Sequence, residues 1–250
     1  MEFQYRINHL LVDLDGTLLG NHEIPLSLDF MRHALLKLKD HGGWKKAAST
    51  LLAIKRELEI PSNNNKNSER VVNLFSERMG FPIDQSRQFI KESLVGFFPK
   101  LEQHFYPVPG AKEFLEWAKN HFSLTLATNP VWPREIVDLR LKWAGVDPEL
   151  FNVVTTATNS SACKPEAKYF TEILDHLNYD VEECLLIGDE VKMDLPATEI
   201  GLLVYIVGDY TNMTRVSHPG AKSPAWKGSY VKLKESLEQM LLAYPNSQKP

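Results

Sequence analysis

Ten residues, Leu10-Leu11-Val12-Asp13-Leu14-Asp15-Gly16-Thr17-Leu18-Leu19, constrain this chain more than any others. An apolar run of strand character leads directly into two carboxylates spaced one residue apart. Side chains of a strand alternate faces, so Asp13 and Asp15 share one side if the strand continues. Gly16 and Thr17 signal a turn instead, which leaves both acids at the strand's carboxyl end. Open parallel sheets place their ligands at that end. Two acids at an apolar sheet edge repel each other, and neither is cheaply desolvated. The pair therefore implies a metal ion, a proton held between the acids, or both. Asp, Asp, Gly and Thr at fixed positions recur by chance about once in 10⁵ positions at ordinary residue frequencies.

Composition narrows the classes. The 250 residues suffice for one large domain or two unequal ones. A net charge of −4 offers no basis for nucleic-acid binding, and no run of 18 apolar residues exists to span a membrane. The first residues lack the charged, apolar and small-residue order of a secretory leader. Cys163 and Cys184 form no CxxC and no disulfide framework, which suits two small packed residues in a reducing, cytoplasmic setting. Serine-hydrolase, P-loop and dinucleotide fingerprints are missing, and so is HExxH.

From residue 107 onward, short apolar runs alternate with helical periodicity. Strands are expected at 123–129, 152–156, 184–188 and 202–207, and helices at 111–120, 134–143, 166–177 and 230–243. This alternation predicts an α/β fold: a doubly wound, Rossmann-like parallel sheet of about five strands. Between Gly20 and Tyr106 the pattern is helical only, over 28–39, 44–58, 69–79 and 85–104, with a polar breaker, Pro61 to Ser68, read as a loop. The expected organisation is a core of residues 1–19 and 107–250 and an inserted all-helical domain of residues 20–106. Lys37, Lys39, Lys45, Lys46, Lys55 and Arg56 read as a solvated face of that insert. Trp44, Lys45 and Arg56 are its candidates for facing a substrate.

Three further polar clusters follow strands or open helices: Thr128-Asn129, Lys164-Pro165 and Gly188-Asp189 with Asp194. Each alone has an ordinary reading, as a helix cap, a surface lysine or a first-turn acid. Their order, with strand ends converging on one sheet edge, points to a single site. The chain resembles the haloacid dehalogenase (HAD) superfamily, and within it the aspartate-nucleophile phosphatases. Asp13-Leu14-Asp15-Gly16-Thr17 resembles the first motif of that family and Thr128-Asn129 the second. Lys164-Pro165 resembles the third, and Gly188-Asp189 with Asp194 the fourth. The helical insert has the position of a C1 cap, and Pro196 departs from the glycine common in relatives.

The resemblance implies a Mg²⁺-dependent phosphatase acting on a small soluble phosphomonoester through an aspartyl-phosphate. It implies Asp13 as nucleophile and Asp15 as general acid and base. Asp13, Leu14, Thr128, Asn129 and Lys164 hold the phosphoryl group. Mg²⁺ rests on the Asp13 carboxylate, the Asp15 main-chain carbonyl and Asp189. Thr17 orients Asp15, and Asp194 orients Lys164 or a metal-bound water. A phosphomutase shares this core. A 2-haloacid dehalogenase does not need Asp15, because halide departs without a proton, and a silent ligand-binding relative would not need every position filled.

Overall fold

The computed structural model describes residues 3, 6–61, 64–177 and 179–245. The chain runs β1 (His9–Val12), β2 (Leu19–Asn21), α1 (Glu23–Leu38), α2 (Gly43–Glu59), α3 (Asn67–Met79), α4 (Ile83–Phe97) and β3 (Phe105–Pro107). It continues through α5 (Ala111–Ala118), β4 (Ser123–Leu126), α6 (Arg134–Trp143), β5 (Val153–Val154), α7 (Ala167–His176), β6 (Cys184–Gly188) and α8 (Val191–Asp194). The last elements are β7 (Leu203–Val207), β8 (Thr214–Val216), β9 (Ala225–Gly228) and α9 (Tyr230–Ala243).

The main sheet has the order β5-β4-β1-β6-β7-β9-β8, parallel throughout except for the antiparallel edge strand β8. Its central strands are apolar on both faces because both are covered, as parallel sheets require. Leu10 and Val12 join Leu124, Leu126, Leu185 and Ile187 under α5, α6 and α9. Leu11, one residue out of phase, joins Leu186, Val204 and Ile206 under α7. The fold is thus α/β and Rossmann-like, with α1 to α4 forming a helical cap.

The chain leaves β1 toward β4 and β5 on one side and later adds β6 and β7 on the other. This reversal opens a crevice at the carboxyl ends of β1, β4 and β6.

Among the described residues the sheet has seven strands rather than about five. β8 and β9 are three and four residues long, too short to show alternation. The cap also carries strand structure at its base, where β2 and β3 pair antiparallel as its two connections to the core. Asn67 is the first residue of α3 and fully buried, not part of a polar loop. Of that expected loop, Ser62 and Asn63 lie outside the described residues. Pro165 stands two residues ahead of α7, after a cis peptide bond, rather than opening the helix.

The cap seats on the core along α6. Ile136 packs with Ala34, Phe97, Phe98 and Leu101, and the Trp143 ring stacks on Phe98 at 5.9 Å.

Candidate active site

β1 ends at Val12, and the Asp13 amide donates to the Ile187 carbonyl of β6 at 2.9 Å. This bond fixes Asp13 beside the neighbouring strand's end. Gly16 then turns the chain with φ +70°, a value that favours glycine. A side chain there would also strike the Asp189 carboxylate, since a Cβ would lie 1.9 Å from its Oδ2. The Gly188 side is equally close, with a Cβ meeting Asp194 at 2.1 Å. Both glycines exist so that carboxylates can crowd the strand ends.

Asp13, Asp189 and Asp194 each bring one carboxylate oxygen within 4.8 Å of the others. Lys164 Nζ lies 3.0 Å from Asp13 Oδ1 and 2.7 Å from Asp194 Oδ1. Asp194 also accepts from the Glu190 amide at 3.1 Å, which locks its carboxylate toward Lys164. Burial pushes the Asp13 carboxyl up to about 6, although Lys164 opposes the shift. Asp189 rises to about 7, through burial first and then the charges of Asp13 and Asp194. Burial alone would pull the Lys164 ammonium down, but Asp13 and Asp194 more than offset it and hold it above its ordinary value. Three acids therefore share one fixed cation and remain short of positive charge. That donor set suits a hard divalent ion, which takes carboxylate oxygens.

At the end of β4, the Thr128 carbonyl accepts from Thr155 at 2.6 Å and from Tyr169 at 2.8 Å. Its hydroxyl is buried and has no partner among the described residues. Asn129 Oδ1 accepts from the Lys164 amide at 3.3 Å and ties their two loops together. The Leu14 amide donates to the Asp13 carboxylate, and its own side chain is buried in the core.

Asp13, Asp15, Asn129, Lys164, Asp189 and Asp194 all border one open cavity of about 1050 Å³. Thr128 and Leu14, both fully buried, are not among the residues that line it. Two expected placements differ. Thr17 donates to Asp189 Oδ1 at 3.3 Å, not to Asp15. Asp15 instead pairs with the guanidinium of Arg140, a buried residue of α6. One signal for Arg140 lay in the helix pattern, which sets this cation on the buried stripe of Ile136, Val137 and Leu141. Trp44, Lys45 and Arg56 do not border the cavity; the cap contributes Glu23 at the start of α1 and the base residues Asn21 and Tyr106. The solvated reading of the basic cap face holds for Lys37, Lys45, Lys46, Lys55 and Arg56, which are exposed; Lys39 is half-buried. Both cysteines are buried. Among the described residues no helix is long and apolar enough to cross a membrane.

The sequence profile of the haloacid dehalogenase-like hydrolases matches residues 7–199. No curated protein matches this chain. Among solved structures, a 2-haloacid dehalogenase of Pseudomonas syringae pv. Tomato superposes with a TM-score of 0.63 at 19% identity, covering 93% of this chain and 99% of its own. A HAD phosphatase of Thermococcus onnurineus gives 0.58 at 20% identity, covering 92% and 98%. YfnB of Bacillus subtilis, solved bound to magnesium, gives 0.54 at 18% identity, covering 93% and 99%. These likenesses establish the shared fold.

Proposed function

Because this chain belongs to the haloacid dehalogenase-like hydrolases, we propose that it is a Mg²⁺-dependent phosphatase of small phosphomonoesters. The observation that carries the reading is Asp15, a second acid bordering the same cavity as Asp13. A leaving halide has no use for such a group, whereas a leaving alkoxide needs a proton. Residues 20–106 serve in this reading as a cap over a compact ligand.

Asp13 and Asp189 would hold Mg²⁺, together with the Asp15 main-chain carbonyl. The ion would supply charge neutralisation between the nucleophile and the phosphate dianion. Lys164 and the Asn129 amide, both at the cavity wall, hold the phosphoryl oxygens as charge redistributes. The Asp13 carboxylate attacks phosphorus, the bond to the ester oxygen breaks, and Asp15 gives its proton to that oxygen. Asp15 then removes a proton from water, whose oxygen attacks phosphorus. The bond to Asp13 breaks and inorganic phosphate leaves. Asp194 keeps Lys164 aimed at Asp13, and Thr17 keeps Asp189 in place.

Phosphate release from a panel of phosphometabolites with Mg²⁺ tests the reading. Turnover is expected for at least one member, abolished by Asp13→Asn and slowed about 10²- to 10⁴-fold by Asp15→Asn. Silence across the panel, or wild-type rates in both variants, would reject it. A phosphorylated isomer of the substrate in place of free phosphate would make the protein a mutase.

A further inference from the structure

Asp15 stands on a turn with 43% of its side chain exposed, and a carboxyl so placed is free to swing among rotamers. General acid and base chemistry needs it held within hydrogen-bond reach of the leaving oxygen. Thr17 supplies no hold, because its hydroxyl is spent on Asp189. Arg140 supplies one. Its side chain is only 3% exposed and is rooted in the layer formed by Val137 and Leu141 of α6. A guanidinium is a rigid planar fork, so its anchored stem fixes where the fork points.

The pairing is costly as a device for stability alone. Arg140 Nε and Nη1 are buried and have no partner among the described residues, and burial pulls the guanidinium down to about 10. Unpaired buried donors cost free energy that one half-exposed ion pair does not repay. The guanidinium also lies 5.9 Å from the Phe105 ring, and Phe105 in turn lies 5.0 Å from Trp143. Phe105 belongs to β3, the strand that returns the chain from cap to core. The hold on Asp15 is therefore built into the cap's base.

We propose that Arg140 is a positioning residue for the reaction, holding Asp15 at the cavity wall for proton transfer to the leaving alcohol. The assignment rests on the phosphatase reading above. Its test compares kcat/KM for an alkyl phosphate with that for 4-nitrophenyl phosphate, in wild type, Arg140→Met and Arg140→Lys. Nitrophenolate departs without a proton, so only the alkyl ester depends on Asp15 up to loss of its alcohol. Arg140→Met should lose at least about tenfold more on the alkyl ester than on the aryl ester. Arg140→Lys, which keeps the cation and its apolar stem, should recover part of that difference, and it carries the comparison should the methionine variant fail to fold. In an Asp15→Asn background, Arg140→Met should add no further selective loss on the alkyl ester.

Parallel losses on both esters, or additive losses with Asp15→Asn, would overturn the role of Arg140 while leaving the phosphatase reading intact. A wild type that turns over no alkyl phosphate across the panel would overturn that reading, and this one with it.

Discussion

At the scale of single residues, the site is a balance between crowded acids and the charge that relieves them. Asp13 and Asp189 stand at about 6 and 7 because burial, and after it the charge of Asp194 on both and of Asp13 on Asp189, disfavours their ionised forms. A cation seated among them is worth much to the folded state, since binding to the native form alone adds RT ln(1 + [L]/Kd). At Mg²⁺ one hundred times its Kd, wild type should gain about 2.7 kcal/mol, and Asp189→Asn should lose most of that gain in denaturant titrations with and without the ion. His9, at the opposite end of β1, makes a contrary case. Burial depresses it to about 4, while its ring nitrogen bonds Thr125 at 2.8 Å. The unfolded chain takes up that proton near 6.5 and the folded chain only near 4. Stability contributed by neutral His9 is therefore present above pH 6.5 and lost as pH falls toward 4, by up to about 3 kcal/mol. Relative to His9→Gln, wild type should weaken over that window; parallel stability curves would refute the assignment. Both acids and their partners were legible as residue types, but the depression of His9 was not, because it arises from neighbours far along the chain.

At the scale of elements, the start of α3 shows how the cap reaches the loops that carry Asn129 and Lys164. Asn67 Nδ2 donates to the Pro130 carbonyl at 3.1 Å and the Ala162 carbonyl at 3.3 Å, and its amide donates to Ser160 at 2.9 Å. Arg70 donates to Asn67 Oδ1 and pairs with Glu57 at 3.1 Å. This buried chain braces the segments that carry Asn129 and Lys164. Asn67→Ala removes one side chain and leaves several buried groups without partners, so a loss of about 1–3 kcal/mol is expected from thermal or denaturant unfolding. A change within 0.5 kcal/mol would show that water takes over those bonds. The longer helices were readable from their apolar periodicity, and β1, β4, β6 and β7 as unbroken, largely apolar buried runs. β2, β3, β8 and β9 mix polar, glycine or proline residues into three or four positions and are strands only through their partners.

At the scale of the whole molecule, charge divides the cavity. Lys164 is the lone lysine or arginine among its described lining residues, and it is committed to the acids at the strand ends. The walls also include Glu23, Glu190 and Asp209. A substrate whose alcohol portion carries a second anion meets like charge there, which costs affinity and slows approach. Monophosphates of neutral or amine-bearing alcohols should exceed carboxylated or doubly phosphorylated ones by at least about tenfold in kcat/KM, with the gap narrowing in salt. Glu23→Gln should narrow it further. Equal rates across these groups would show that the acidic walls do not select.

What the chain's letters determined by themselves was the kind of fold and the acids and lysine that gather at its strand ends. Strand character and turn chemistry are local, so an apolar run ending in Asp13-Leu14-Asp15-Gly16-Thr17 declares its geometry wherever it lies. The tertiary structure alone decided who meets whom. Arg140 reaches Asp15 across 125 positions, Thr17 turns to Asp189, and Glu23 rather than Trp44 borders the cavity. Such pairings are set by how α6 and the cap pack on the sheet, and packing is a property of surfaces that no stretch of sequence carries alone.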